Sequence, residues 1–231
     1  MIDWHSHILP GIDDGSRDTS ESLALLRILS DQGIDTVVAT PHFYADRESV
    51  TSFLERREKA FSEISAQLKS DMPRVVLGAE VLYYEGISRL QDLNRLCIEG
   101  TNLLLLEMPM AKWTEYTVRE LVKILNLKGI KLVLAHAERY IRFQSAETLD
   151  RLYENGILIQ VNASFFNDVW TRRTAISMLV NRGIHFVGSD CHNLTSRPPR
   201  IGKAFDYISK KLDKQFLRQL NEFGNSLLVS K

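Results

Sequence analysis

Lys131-Leu132-Val133-Leu134-Ala135-His136 is the stretch that decides the fold. Its unbroken apolar run leaves no solvated face, as expected of a parallel strand covered on both sides, and it stops at a histidine. The same form recurs along the chain. Ile2 to His5 opens it as a short strand, Thr36-Val37-Val38-Ala39-Thr40 runs into Pro41-His42, and Val75-Val76-Leu77-Gly78-Ala79 stops at Glu80. Asn102 to Leu106 stops at Glu107, Ile157 to Val161 at Asn162, and Phe186-Val187-Gly188 leads to Ser189-Asp190-Cys191-His192. Helical patterns lie between these runs: Ser20 to Gln32 with Thr19 or Ser20 as cap, Ser49 to Leu68, Thr114 to Leu127, Ala146 to Asn155 and Val169 to Arg182. A helix with a polar outer face, from about Lys203 to Phe223, ends the series. Seven strand-then-helix units predict an α/β fold, a closed or nearly closed (β/α)7 TIM-like barrel forming one domain over residues 1–231.

Composition narrows the function classes. With 44% hydrophobic residues in 231, the chain can bury one sizeable core. Its 29 basic residues balance its 29 acidic ones, so no global field draws it to nucleic acid or an anionic membrane, and any anion recognition must be local. No apolar run approaches the span of about 18 residues that a bilayer needs, and Met-Ile-Asp-Trp-His lacks the features of a signal peptide. The expectation is a soluble cytoplasmic protein. Two cysteines, Cys97 and Cys191, make no disulfide framework and no zinc-finger spacing.

His5 and His7, two apart on a strand, share a face. Five of the six histidines, His5, His7, His42, His136 and His192, stand where an apolar run ends, whereas His185 precedes one and so belongs to the opposite rim or a loop. A parallel barrel gathers its strand ends at one mouth. His5, His7, Asp14, His42, Glu80, Glu107, His136, Asp190 and His192 should therefore converge as nitrogen and oxygen donors. Glu80 and Glu107 could instead be no more than the first solvated residues after buried strands. The set is too large for one tetrahedral zinc and suits two or three divalent ions sharing carboxylates, of a borderline type such as manganese, iron or zinc. Three such ions against four carboxylates leave an excess of about two positive charges, which attracts a dianionic phosphate. A hydroxide activated by such ions is a nucleophile near neutral pH, so the reaction class is phosphoester hydrolysis. Arg139 and Arg197 have the fork that matches phosphate oxygens, although either could be a surface ion-pair partner. With Asp190 they are the candidate catalytic residues.

His5-x-His7, Thr40-Pro41-His42, Glu80, Glu107, His136-Ala137-Glu138-Arg139 and Ser189-Asp190-x-His192 together resemble the polymerase and histidinol phosphatase (PHP) superfamily. Within it, Leu9-Pro10-Gly11-Ile12-Asp13-Asp14-Gly15 and Arg197-Pro198-Pro199 resemble the bacterial capsule-type tyrosine phosphatases, the CpsB/CapC group. The resemblance spans Met1 to about Phe223. It implies a distorted seven-stranded barrel with a trinuclear, often manganese-dependent centre that removes phosphate from tyrosines of a cognate bacterial tyrosine kinase in exopolysaccharide export. It also implies a ligand division: His5, His7, Glu80 and Asp190 on one ion, Glu80, Glu107 and His136 on a second, Asp14, His42 and His192 on a third. In related sugar-phosphate and histidinol phosphatases the places of Asp14 and Glu107 differ, which favours the tyrosine-phosphatase branch.

A competing signal is Cys191-His192-Asn193-Leu194-Thr195-Ser196-Arg197, which fits the Cys-x5-Arg formula of thiol-dependent tyrosine phosphatases. Its loop has no glycine, Asp190 opposes a thiolate, and Pro198-Pro199 removes two amide donors, so the match is read as chance. Other rivals are a small-molecule phosphatase of the same superfamily acting on histidinol or sugar phosphate, an amidohydrolase-like deaminase or lactonase, and a non-catalytic metal-binding adaptor. The oligomeric state is not readable.

Overall fold

Runs that are apolar on both faces fold as parallel strands. The computed structural model describes residues 1–127, 129–181 and 183–228. The helix end expected at Arg182 and the last three positions of the expected domain lie outside these. The strands are β1 (Ile2–Ser6), β2 (Thr36–Ala39), β3 (His42–Phe43), β4 (Arg74–Leu77), β5 (Glu80–Leu82), β6 (Leu103–Glu107), β7 (Lys131–Leu134), β8 (Leu158–Asn162) and β9 (Phe186–Gly188). They form two sheets, of order β1-β2-β4 and β3-β5-β6-β7-β8-β9, with every pairing parallel.

The expected seven strands thus appear as nine segments in two sheets. Two of the runs are each broken in the middle, at Thr40-Pro41 and at Gly78-Ala79, and both change sheet at the break. Proline has no N–H to give a ladder, and glycine weakens a strand interior. The larger sheet curls until β9 approaches β1. The Asp190 N–H donates to the His5 carbonyl at 2.8 Å and the His7 N–H to the Cys191 carbonyl at 2.9 Å. A Cβ on Gly188 would stand 2.5 Å from that of His5, so only glycine permits this approach.

Side-chain alternation divides the interior in two. Leu104 and Leu106 of β6 join the larger core, whereas Leu103 and Leu105 join a smaller cluster with Trp4, Val38, Val133 and Phe186 of other strands. That smaller cluster lines the inside of the curl. By the same period of two, Glu107 follows Leu103 and Leu105, and Gln160 and Asn162 follow Leu158. The inner face therefore passes from apolar to polar as the strands reach the mouth.

The helices are α1 (Thr19–Asp31), α2 (Val50–Ser65), α3 (Glu115–Leu125), α4 (Ala146–Glu154), α5 (Ser164–Asn167), α6 (Arg172–Val180), α7 (Ile201–Leu212) and α8 (Lys214–Leu228). Asp18, rather than Thr19 or Ser20, caps α1 by accepting from the Glu21 N–H at 2.9 Å. The tail is two helices, not one: Asp213 between them has φ 101°, which ends α7. Leu228 of α8 reaches the smaller cluster and closes the end of the curl opposite the mouth. Among the described residues no helix is long and apolar enough to cross a membrane.

Candidate metal centre

Strand register brings the first donors together. His42 of β3 pairs with Glu80 of β5, and Leu82 with Glu107 of β6. The loops after β7 and β9 add His136 and Asp190, which have φ of 34° and 52°. Left-handed backbone is costly for such residues, and here it is held by specific contacts. Gln160 Oε1 accepts the His136 N–H at 2.6 Å, and the Asp190 N–H is bonded to β1 as described above.

The hydrogen bonds of the imidazoles fix which nitrogen is bare. His7 Nδ1 lies 2.7 Å from Asp13 Oδ2, which can only accept, so Nδ1 donates. His5 Nδ1 donates to Gln160 Oε1 at 3.1 Å, and His192 Nδ1 to the Asp190 carbonyl at 3.0 Å. Each Nε2 therefore faces the mouth, where its lone pair is available to a cation once any proton on it has left. There His5 Nε2 and His7 Nε2 are 3.2 Å apart, and Glu80 Oε2 is 3.1 Å from the first and 3.2 Å from the second. Asp190 Oδ1 is 3.8 Å and 3.6 Å from the same two nitrogens. Buried acceptors pointed at one another need positive charge between them, a proton in the metal-free protein or a metal cation in its place. Among the described residues His192 Nε2 and His42 Nδ1 are buried without a hydrogen-bond partner, which makes the same demand.

The ionisation of the cluster expresses this demand. Burial alone would lower the pKa of His7, yet hydrogen bonds with Asp13 and Glu80 raise it to about 10. Burial likewise opposes, and hydrogen bonds with Glu107 and Glu80 impose, a rise in His136 to about 9. Glu80 is held well below the usual carboxylate range against the pull of burial, first by the charge of His5 and then by hydrogen bonds with His136, His5 and His7. Burial, and after it the neighbouring charge of His7, pushes His192 down to about 4. The residues present fit divalent cations.

Three overlapping donor groups lie within reach of one ion each: His5, His7 and Asp190; His42, Glu80 and Glu107; His7, Asp14, His42 and His192. His136 joins them through Nε2, 2.8 Å from Glu80 Oε1 and 3.4 Å from Glu107 Oε1. All nine expected donors are thus brought to one mouth. The grouping differs in detail from the expected division, since His7 and His42 each serve two groups. Asp14 is 65% exposed and its Oδ1 is 3.5 Å from Nε2 of both His42 and His192, so it closes the cluster from the solvent side.

Both candidate arginines meet the cluster at Asp190. Arg139 Nη2 is 2.6 Å from Oδ2 and Arg197 Nη2 is 2.8 Å from Oδ1. Their ion-pair partner is therefore a buried candidate ligand and not a surface acid. Burial and the neighbouring His5 and His7 act in opposite directions on Asp190, and its pKa is lowered.

The chain's likenesses to known proteins agree with this geometry. The family model described as "Capsular polysaccharide synthesis, CpsB/CapC" matches residues 1–228. The chain belongs to the CpsB/CapC family. Tyrosine-protein phosphatase CpsB of Streptococcus pneumoniae is 32% identical over 236 residues, covering 95% of this chain and 94% of that protein. Tyrosine-protein phosphatase YwqE of Bacillus subtilis (strain 168) is 30% identical over 240 residues, covering 99% and 91%. A crystal structure from work on YwqE and CpsB, there called unique metal-dependent tyrosine phosphatases, matches with TM-score 0.84 and 27% identity, covering 100% of this chain and 95% of that one. A histidinol phosphate phosphatase from Lactococcus lactis, complexed with zinc, L-histidinol and phosphate, shares the fold at TM-score 0.55 and 16% identity, over 90% of this chain and 92% of its own.

In this CpsB/CapC chain the supporting residues were the ones sequence reasoning passed over. Asp13 was visible beside Asp14, but it backs His7 and accepts the His42 N–H at 3.0 Å. Gln160 orients His5 and His136, Tyr140 Oη lies 3.0 Å from His136 Nδ1, and the Asn162 amide donates to Asp190 Oδ2 at 2.7 Å. Gln160 and Asn162 gave a signal, two amides alternating in an otherwise apolar strand. Tyr140 gave none. Cys191 is fully buried, and burial, followed by the charges of Asp3 and Asp190, pushes its thiol up, which leaves no thiolate for the Cys-x5-Arg route.

Proposed function

We propose that the chain is a metal-dependent protein-tyrosine phosphatase that acts in the cytoplasm on a cognate bacterial tyrosine kinase in capsule or exopolysaccharide synthesis. Its centre holds two or three divalent ions, manganese foremost, within a (β/α)7 barrel whose two broken runs each count as one strand. The observation that carries this reading is the buried set of bare imidazole nitrogens and carboxylates around Glu80, with two arginines closed on Asp190 beside it.

His5, His7, Asp14, His42, Glu80, Glu107, His136, Asp190 and His192 would hold the ions. Bound there, divalent ions supply an activated water and neutralise charge on the transferred phosphoryl group. The chain's own residues do the rest. Asp13, Gln160 and the Asp190 carbonyl keep the protons of His7, His5 and His192 on Nδ1. Arg139 and Arg197 use Nη2 on Asp190, and both line the adjoining groove, where their remaining N–H groups can bind equatorial phosphate oxygens. A phenolate, whose conjugate acid has a pKa of about 10, leaves with less protonation than an alkoxide, so the site needs no strong general acid for an aryl ester.

The test is phosphate release from a phosphotyrosine peptide, p-nitrophenyl phosphate and a sugar phosphate, each with Mn²⁺, Fe²⁺, Zn²⁺ or chelator. Hydrolysis of both aryl esters well above the sugar ester, lost with chelator, is expected. Equal rates on sugar and aryl esters would assign the chain to small-molecule hydrolysis, and metal binding without phosphate release would make it an adaptor.

A further inference from the structure

The mouth opens into a groove of about 620 Å³ lined by Asp190, Arg139 and Arg197 and also by Trp170 and Arg200. Trp170 is 89% exposed and its neighbour Val169 58%, a large apolar surface for a soluble face to carry beside a charged centre. The loop that bears them is well fixed. The Trp170 N–H donates to Asp168 Oδ1 at 2.7 Å, Thr171 Oγ1 donates to the Phe165 carbonyl at 2.8 Å, and the Asn167 amide donates to the Arg200 carbonyl at 3.0 Å. Asn167 thereby ties the segment carrying Trp170 to the one carrying Arg200.

Arg200 differs from the two arginines nearer the centre. Each of them places an Nη2 on Asp190, whereas the exposed Arg200 guanidinium has no ion-pair partner among the described residues. It also lines a neighbouring cavity of about 780 Å³ with Lys203, Lys214 and Arg218, and Asp31 and Asp206 are the acids there. A chain without net charge therefore carries a local cationic path away from its centre.

Building on the phosphotyrosine reading above, we propose that this groove selects the residues flanking the phosphotyrosine: an acidic side chain opposite Arg200 and an apolar one over Trp170. An exposed tryptophan and an exposed arginine lining one groove are of the residue types that dominate recognition energies, and charge complementarity selects the sign of the partner. A small phosphate ester has no flanking residues to offer to either side chain. Both are positioning and selectivity residues and neither touches the reacting phosphorus.

The holoenzyme, Arg200→Glu and Trp170→Ala are to be compared on p-nitrophenyl phosphate and on three phosphotyrosine peptides, flanked by acidic, neutral or basic residues. Wild type should favour the acidic peptide. Arg200→Glu should lower kcat/KM on it by about tenfold, mostly through KM, and raise kcat/KM on the basic peptide, both effects shrinking at high salt. Trp170→Ala should lower kcat/KM on peptides with an apolar flanking residue by about fivefold, with p-nitrophenyl phosphate unchanged in both variants. Tryptophan emission should shift when a non-hydrolysable phosphonate peptide binds, and Trp170→Phe should abolish the shift. Equal rates on the three peptides, or equal losses on peptide and p-nitrophenyl phosphate, would overturn the subsite while leaving the phosphatase reading intact. Failure of wild type on every aryl ester would overturn both.

Discussion

His185 precedes its strand while the five histidines of the mouth stand toward the opposite ends of their runs, and three of those five use their rings in the opposite sense to His185. At the far end His185 Nδ1 accepts a hydrogen bond from the Ile159 N–H at 3.1 Å, and the ring lies among Phe186 and Phe223, with burial lowering its pKa. At the mouth His5, His7 and His192 donate through Nδ1 and turn Nε2 toward the other donors of the cluster. One arrangement is complete within the chain. The other is completed only by a cation, so a histidine's role here follows from which of its nitrogens the fold has already used.

The largest effects should therefore fall on the acceptors at the mouth. Asp190→Asn and Glu80→Gln are each expected to lower p-nitrophenyl phosphate hydrolysis by about 1,000-fold and also to lower the melting temperature of the metal-free protein, since each leaves buried cationic partners without their carboxylate. Chelator should match them. Cys191→Ser, paired across the strand closure with Ser6 between His5 and His7, should keep its turnover per folded molecule. A Cys191→Ser enzyme without activity, together with a chelated wild type that retains it, would transfer the chemistry to the thiol.

Next come the residues that stand behind the ligands. Asp13→Asn and Gln160→Leu should weaken metal affinity by about 10- to 100-fold, because each frees a ring nitrogen that now holds the proton in place. Metal titration by calorimetry reads this directly. Affinities equal to wild type would mean that the ring orientations are set by packing alone, and the contrast with His185 would lose its basis.

Acid should act on the two ends through different terms. His7 has a raised pKa, so its protonation stabilises the metal-free fold fully below the ordinary value of 6.5, and that contribution is lost as pH rises through about 10. A cation must displace that proton. Metal binding at neutral pH should consequently release protons, and affinity should rise by about tenfold per pH unit for each proton released. Calorimetry in two buffers of different ionisation enthalpy measures the number, and a value of zero would show that His7 binds the ion already neutral.

Which parts of this were legible in the sequence follows from how local each cause is. Strand ends were legible because burial on both faces writes a continuous apolar run and the donor directly after it must reach the mouth: His136 and Glu107 needed no tertiary information. The break at Thr40-Pro41 was visible as residues, but the passage from one sheet to the other there depends on which strand the chain meets next. Asp13 and Asp14 are the same residue type side by side. Only the turn in which Asp13 Oδ1 accepts the Gly15 N–H at 2.9 Å decides that the first backs His7 and the second faces the cluster. Tyr140 reaches His136 across a single 3-10 turn, Ala137–Arg139, too short to write a periodicity in the sequence.

The smallest expected effect belongs to His185. Its pKa is lowered from the ordinary 6.5, so its neutral form contributes stability that is present above that value and lost as pH falls through the lowered one. His185→Leu removes this titration and leaves the Ile159 N–H without its acceptor, a cost of about 1–3 kcal/mol in unfolding free energy above pH 7. Denaturant melts from pH 5 to 8 should show a lower plateau and a shallower acid limb, with kcat and metal content unchanged. If His185→Leu instead lost metal or turnover at full folding, the far end would be coupled to the mouth through β9, and the two ends could not be treated as independent.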